Sequence, residues 1–343
     1  MRSLTLGRAI GAGVILAVIA LVVLYLIPSN QYYVFLPDRA HALEPLVRVA
    51  GERPAAHAGG VYFVDVRFRK ARLLEDLLGR PLEKNATLLP VRDVLGDVTE
   101  KQQERIDVTE MAQSQKIAAA LALKRLGYHV RIRLPSVVVR GVVRSAPAHR
   151  FLSAGDRLLA VNGSPVHSIG RLHALVTSHR PGDRLRLRYR SASRVATAAI
   201  RTIASPDDKQ AAAIGILVDE TGGSIGKLPV RVRINTAGVG GPSAGLAFAL
   251  DLMEEFGRDV DRGYKVAATG ELDLDGSVLP IGALKQKTIG ARQAGVDVFL
   301  VPAGSNARTA RRYANGLRII PVQSFPQALH ALATLPVKHP ASA

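Results

Sequence analysis

The chain has 343 residues, 48% hydrophobic and 22% charged, which is too long for one average domain and too apolar for wholesale disorder. It contains no cysteine, so disulfides, thiolate metal sites and a cysteine nucleophile are excluded. The net charge of +18 is carried mainly by arginines scattered singly, with few interleaved aromatics and no nucleic-acid motif, which points away from nucleic acid as a partner.

Residues 9–27 read AIGAGVILAVIALVVLYLI, an uncharged run that would extend roughly 28 Å as a helix at ~1.5 Å per residue. Arg2 and Arg8 precede it, and the first charges beyond it are Asp38 and Arg39. The positive-inside rule therefore predicts a single-pass anchor in the cell membrane over residues 1–30, with the short N-terminus cytoplasmic and the rest extracytoplasmic. A cleaved signal peptide fits less well, because even the one tempting small-x-small site, Ala40-His41-Ala42, lies far beyond the apolar run.

Residues 31–126 are expected to form a juxtamembrane stalk and an α+β segment. Pro28, Pro37, Pro45 and Pro54 suggest an extended stalk or the entry to a domain, 60–70 alternates like a strand, a helix is predicted near 73–78, and a second over 109–126 stops at Gly127.

Short strands and turns follow. Ser145-Ala146-Pro147-Ala148, Leu152, then Gly155-Asp156-Arg157-Leu158-Leu159-Ala160-Val161-Asn162-Gly163, Val166, a helix from about Ile169, and Pro181-Gly182-Asp183 before a strand stand in an order that resembles a PDZ domain over 127–204. Such domains, β-rich with helices, capture an extended peptide by strand addition. The resemblance implies peptide binding, with Gly127, Tyr128, His129 and Val130 as the candidate carboxylate-binding loop.

From about Ala212 strands and helices alternate, which predicts an α/β unit over 205–335, with 336–343 a tail. Its centre reads NTAGVGGPSAGLAFALDLM, where Ser243 sits between a glycine-rich loop and a helix N-terminus, ground suited to stabilising an oxyanion. Taken alone, Ser243 also fits an ordinary helix-start serine. In the segment TGELDLDGSVLPIGALKQK, helical spacing puts Lys287 on one face with Leu284, Thr288, Ala291 and Ala294, opposite Lys285, Gln286, Arg292 and Gln293. A lysine on a buried face loses its proton readily and becomes a general base, although a lone one can instead snorkel to water.

Together these segments resemble the proteolytic domain of Lon proteases. Gly241-Pro242-Ser243-Ala244-Gly245 matches the nucleophile motif; Thr269-Gly270-Glu271, Gly276, Val278-Leu279-Pro280-Ile281-Gly282 and Leu284-Lys285-Gln286-Lys287 match the segment carrying the base. The resemblance implies Ser243 as nucleophile, Lys287 as base, Thr269 as its support and the backbone amides near Gly241 to Ser243, Gly241 and Pro242 among them, at the oxyanion. It also implies flexible or unfolded polypeptide substrates, a homo-oligomeric ring, and neither metal nor cofactor. Gly240 departs from the family, in which an acidic residue is frequent at this place. No G-x-x-x-x-G-K-[ST] occurs, since Gly226-Lys227 leads into Leu228, so ATP-driven unfolding is not built into these residues.

The whole order resembles bacterial membrane-anchored PDZ-containing Lon-like serine proteases, and the expected architecture is a transmembrane helix, an α+β segment, a PDZ domain and an α/β Lon-type domain. A non-enzymatic tethered PDZ adaptor is the alternative, which loss of Ser243 would leave unharmed.

Overall fold

The computed structural model describes residues 2–49, 59–206, 209–236 and 238–338, with side chains from residue 11 onward. Pro54 of the expected stalk and the last residues of the expected tail lie outside the described residues.

The chain opens with the helix Arg2–Leu26. The transmembrane part of the expected architecture is corrected here: among the described residues no helix is long and apolar enough to cross a membrane. The helix end is moreover engaged by the protein, because Arg72 stacks its guanidinium 3.8 Å from the centroid of the Tyr25 ring and Leu73 N donates to Ile27 O.

No stalk follows. Pro28–Pro37 is the central strand of a three-stranded antiparallel sheet between Val66–Arg72 and Thr87–Pro90, and its prolines sit at the strand ends, where a missing N–H does least harm. Beside it, a five-stranded sheet runs in the order His41–Ala42, Gly60–Phe63, Lys265–Ala268, Val298–Pro302, Arg318–Val322. Its last four strands are parallel. Val298–Pro302 is buried at every position, as expected of a parallel strand covered on both faces. This sheet takes strands from both ends of the chain, so residues 31–126 are not a separate domain; they complete one body with the C-terminal third. Long-range pairing of this kind leaves no local sequence signal.

Two helices pack across that body. Glu100–Arg125 starts at a capping box in which Thr99 and Gln102 satisfy one another's end groups, and it buries Met111, Ser114, Ile117, Ala118 and Ala122. These small residues let it lie close to Gly245–Glu255, which is buried along its whole length and meets the sheet through Phe248 against Phe63, rings 6.3 Å apart.

Between the two halves sits an inserted unit with its own core of Val137, Leu158, Leu187 and Ile200, among others. Its antiparallel sheet is ordered Arg194–Arg201, Arg184–Ser191, Arg157–Val161, Ile132–Val142, Ile216–Ile225, with the helix Ile169–Thr177 packed across. The insert enters and leaves at neighbouring points, since Ile132 pairs with Ile225 and Gly226 N donates to Arg131 O at 2.9 Å. It therefore spans 132–225 rather than 127–204. The closing strand Ile216–Ile225 comes later in sequence than the expected boundary at 204. The insert rests on the body where Ser168 Oγ donates to Asp273 Oδ2 and Gly170 lies against Leu279. Those contacts fall on the hairpin made by Glu271–Leu272 and Val278–Leu279.

Candidate active site

Ser243 lies in the single helical turn Pro242–Ala244 that leads into Gly245–Glu255. Gly241 enters the turn with φ 86°, a conformation side-chain-bearing residues avoid, and Pro242 suits the first helical position. The turn is tied from two sides. Gly241 N donates to Asp107 O at 3.0 Å and Ser114 Oγ to Pro242 O at 2.9 Å, both from the long helix. On the other side, Gly270 N and Thr269 Oγ1 donate to Ser243 O at 2.8 and 3.1 Å.

Lys287 comes from the helix Leu284–Gln293, whose approach is clamped by Asn306: its Oδ1 accepts from Ile281 N at 2.8 Å and its Nδ2 donates to Ile281 O at 3.0 Å. Only 4% of the Lys287 residue is exposed, and Nζ stands 2.5 Å from Ser243 Oγ and 3.5 Å from Thr269 Oγ1. Burial disfavours the ammonium and lowers its pKa to about 8, against a smaller raising effect of the Asp65 carboxylate. Near neutral pH a fraction of the amine is therefore unprotonated, the form able to accept a proton from a neighbouring hydroxyl. Lys285 points elsewhere, donating to Ala86 O at 3.1 Å. Gln286, expected on the outer face, is instead buried and donates to Thr87 Oγ1 at 2.6 Å, because the first sheet covers that side.

The expected oxyanion donors, Gly241 to Ser243, narrow to one. Pro242 has no N–H, and the Gly241 N–H is already given to Asp107 O. The amide left in this turn is that of Ser243 itself, which makes no backbone bond among the described residues and sits at the positive end of the helix. The expected peptide-binding loop is also misplaced. Gly127 ends the long helix, Tyr128 packs on Phe256 with rings 5.7 Å apart, and Val130 joins Ala120 and Leu123 in the seam with the body. The free sheet edge beside helix Ile169–Thr177 is the strand Ile216–Ile225, whose Glu220 accepts from Ile169 N at 2.8 Å.

A cleft of about 490 Å³ opens onto the dyad, lined by Asp65, Val66 and Phe68 on one wall and by Asp107, Met111 and Gly240 on the other. The first wall continues into Val66–Arg72, an edge strand with an unpaired side. A Cβ at position 240 would lie 2.7 Å from Asp107 Cβ, so the space an acidic residue would need there is filled by Asp107. Asp65, Asp107 and Ser114 all come from the N-terminal half and were not singled out from sequence. Asp38, His41 and Asp65 hold ligand-type atoms within 4.8 Å of one another, as do Glu254, Asp259 and Asp261. In the first group His41 Nε2 lies 3.4 Å from Asp65 Oδ1, an ion-pair geometry.

Comparison with known proteins adds two assignments. Residues 227–334 match the Lon protease (S16) C-terminal proteolytic domain, and residues 111–202 match the PDZ domain. The chain is 39% identical over 100 residues to the Lon proteases of Chloroflexus aggregans and Rhizobium meliloti, and 42% identical over 94 residues to that of Azorhizobium caulinodans. These stretches cover 26–28% of this chain, which spans 11–12% of the length of those relatives. Among solved structures, the PDZ domain of an SdrC-like protein from Listeria innocua is 25% identical, covering 25% of this chain and 97% of that one at a TM-score of 0.23. The PDZ match begins inside the long helix that packs in the body core, and it ends before the strand Ile216–Ile225 that completes the insert's sheet.

Proposed function

Because this chain carries a Lon-type proteolytic domain, and with it the features of a serine peptidase, we propose that it is an ATP-independent serine endopeptidase with Ser243 as nucleophile and Lys287 as general base. The observation that carries this is the 2.5 Å approach of a buried, pKa-lowered amine to a serine hydroxyl at a helix start. Neutral Lys287 takes the Ser243 proton as Oγ attacks a peptide carbonyl, and the ammonium so formed then protonates the leaving amine. The Ser243 N–H and the helix end face the developing oxyanion. Water, deprotonated by the same lysine, releases the acyl group. Thr269 acts as a positioning residue: its hydroxyl binds Ser243 O and lies within reach of the lysine.

Substrates are flexible or unfolded polypeptides, because a narrow cleft beside an edge strand admits an extended chain and these residues hold no nucleotide-binding loop to power unfolding. The insert supplies a second peptide-binding edge at Ile216–Ile225, for recruitment or restraint. A homo-oligomeric ring belongs to this proposal by likeness to Lon-type domains, and the mass in solution checks it.

The test incubates the chain with an unfolded protein and no ATP, beside Ser243→Ala and Lys287→Ala. Both substitutions are expected to lower cleavage by about 10³-fold or more, and parental cleavage should climb with pH through about 8 as Lys287 loses its proton. Equal cutting by the variants would sink the dyad.

A further inference from the structure

From residue 144 to 201 the insert carries eleven arginines and no lysine against two aspartates, half the chain's net charge of +18. Neither aspartate offsets them: Asp156 is buried and accepts from Ser153 N, and Asp183 accepts from Arg180 N. Among the described residues none of Arg157, Arg184, Arg186, Arg188, Arg190 and Arg201 forms an ion pair.

Their placement is ordered. In Arg184–Ser191 the residues Leu185, Leu187 and Tyr189 point into the insert's core, while Arg184, Arg186, Arg188 and Arg190 line the exposed face, about 6.8 Å apart at ~3.4 Å per residue. Arg184 stands directly opposite Arg201, and Arg190 directly opposite Arg157. Like charges in that relation destabilise a sheet, so fold stability does not explain them. Between the two pairs, Arg186 faces Ala199 and Arg188 faces Thr197 and Ala160. These small residues form the floor of a concavity of about 730 Å³, walled by Arg184, Arg186 and Arg188.

We propose that this arginine face captures an extended acidic segment of the polypeptide to be cleaved. An extended peptide repeats its same-face side chains at the spacing of the arginines, so Asp or Glu at alternate positions meets Arg184, Arg186, Arg188 and Arg190 in turn, each guanidinium able to hold a carboxylate in two hydrogen bonds. The concavity is lined by no Phe, Tyr or Trp, His167 being its one aromatic ring, and its hollow form suits a chain better than a flat anionic surface. The catalytic cleft has the opposite character, with Asp65 and Asp107 on its walls, so the acidic segment serves as a tether while a different stretch of the same substrate enters the cleft. The proposal rests on the proteolytic function above only for the identity of the bound polypeptide.

The test measures fluorescence anisotropy of a labelled alternating Glu-Gly peptide on the Ser243→Ala chain, with and without Arg186→Glu/Arg188→Glu, and with Arg186→Gln/Arg188→Gln as the gentler change. Binding is expected to weaken at least about tenfold in both double variants and to fall steeply as salt rises. On the active background, the double variants should cut a short neutral peptide at the parental rate yet lose preference for an unfolded protein bearing an acidic tract. Unchanged anisotropy in the double variants overturns the proposal. So does arginine-dependent displacement of the peptide by a thymidine oligonucleotide or by phosphatidylglycerol vesicles at lower concentration, which would assign the face to a phosphate-bearing partner. If no form cuts the neutral peptide, the proteolytic function fails while the anisotropy still decides the capture.

Discussion

The body and its insert solve the same folding problem in opposite ways. The insert is antiparallel and alternating: most strands meet one nearby in sequence, the closing pair Ile132–Val142 and Ile216–Ile225 excepted, with leucines inward and arginines outward on Arg184–Ser191. The body is largely parallel and joins strands more than 200 residues apart, such as Gly60–Phe63 beside Lys265–Ala268. It also tolerates ionisable groups in its interior: Asp251 is pushed up to about 8, mainly by burial, and Lys287 down to about 8 by the same cause. A region that buries titratable groups gives up stability for reactivity, and here that region is the one holding the dyad.

The sharpest way to break this comparison is to open each core separately. Phe248→Ala in the body and Leu187→Ala in the insert each remove a fully buried side chain, and each is expected to cost about 3–5 kcal/mol in its own region. Calorimetry should show Phe248→Ala abolishing cleavage, whereas Leu187→Ala lowers one transition and spares cleavage of a short peptide. Coincident loss in both would mean that the two cores melt as one.

A smaller effect is expected from excising residues 132–225 and joining Arg131 to Gly226 through a short Gly-Ser bridge, which the 2.9 Å contact between them permits. Short-peptide kcat/KM should stay within about threefold, because the body keeps its own core, while choice among protein substrates changes. Smallest is Asp65→Asn. This carboxylate raises the Lys287 pKa, so its removal should move the rising limb of the pH–rate profile to lower pH, the amine losing its proton earlier. A limb that stays in place would show that Asp65 does not reach the amine.

What could be read from sequence follows the same division. Ser243, Lys287 and Thr269 were visible because their chemistry is concentrated in two short stretches, and periodicity alone placed Lys287 with the apolar face of its helix. The face opposite was half wrong: Gln286 is buried by Thr87, a neighbour 199 residues away. Asp65, Asp107 and Ser114 were invisible for that reason, since only pairing between distant strands and helices brings them to the site. The oxyanion set narrows to Ser243 through a bond that no sequence shows, Gly241 to Asp107. Gly127 to Val130 failed as a peptide loop because the strand bordering the insert's helix arrives after the insert seems to have ended. The apolar run at the start was long enough on paper to cross a bilayer, yet its end is held by Arg72 and Leu73.

The insertion also orders events in time. A ribosome delivers the first half of the body, then the insert, and only afterwards the strands Lys265–Ala268 and Val298–Pro302 against which Val61 and Phe63 are buried. The insert can close once residue 225 has emerged, but the lysine follows the serine by 44 positions and its helix docks after the sheet exists. On the proposed function, a nascent chain thus holds the serine before it holds the base. Ribosome-arrested chains ending near residue 260 are expected to show a protease-resistant insert flanked by a digestible first half.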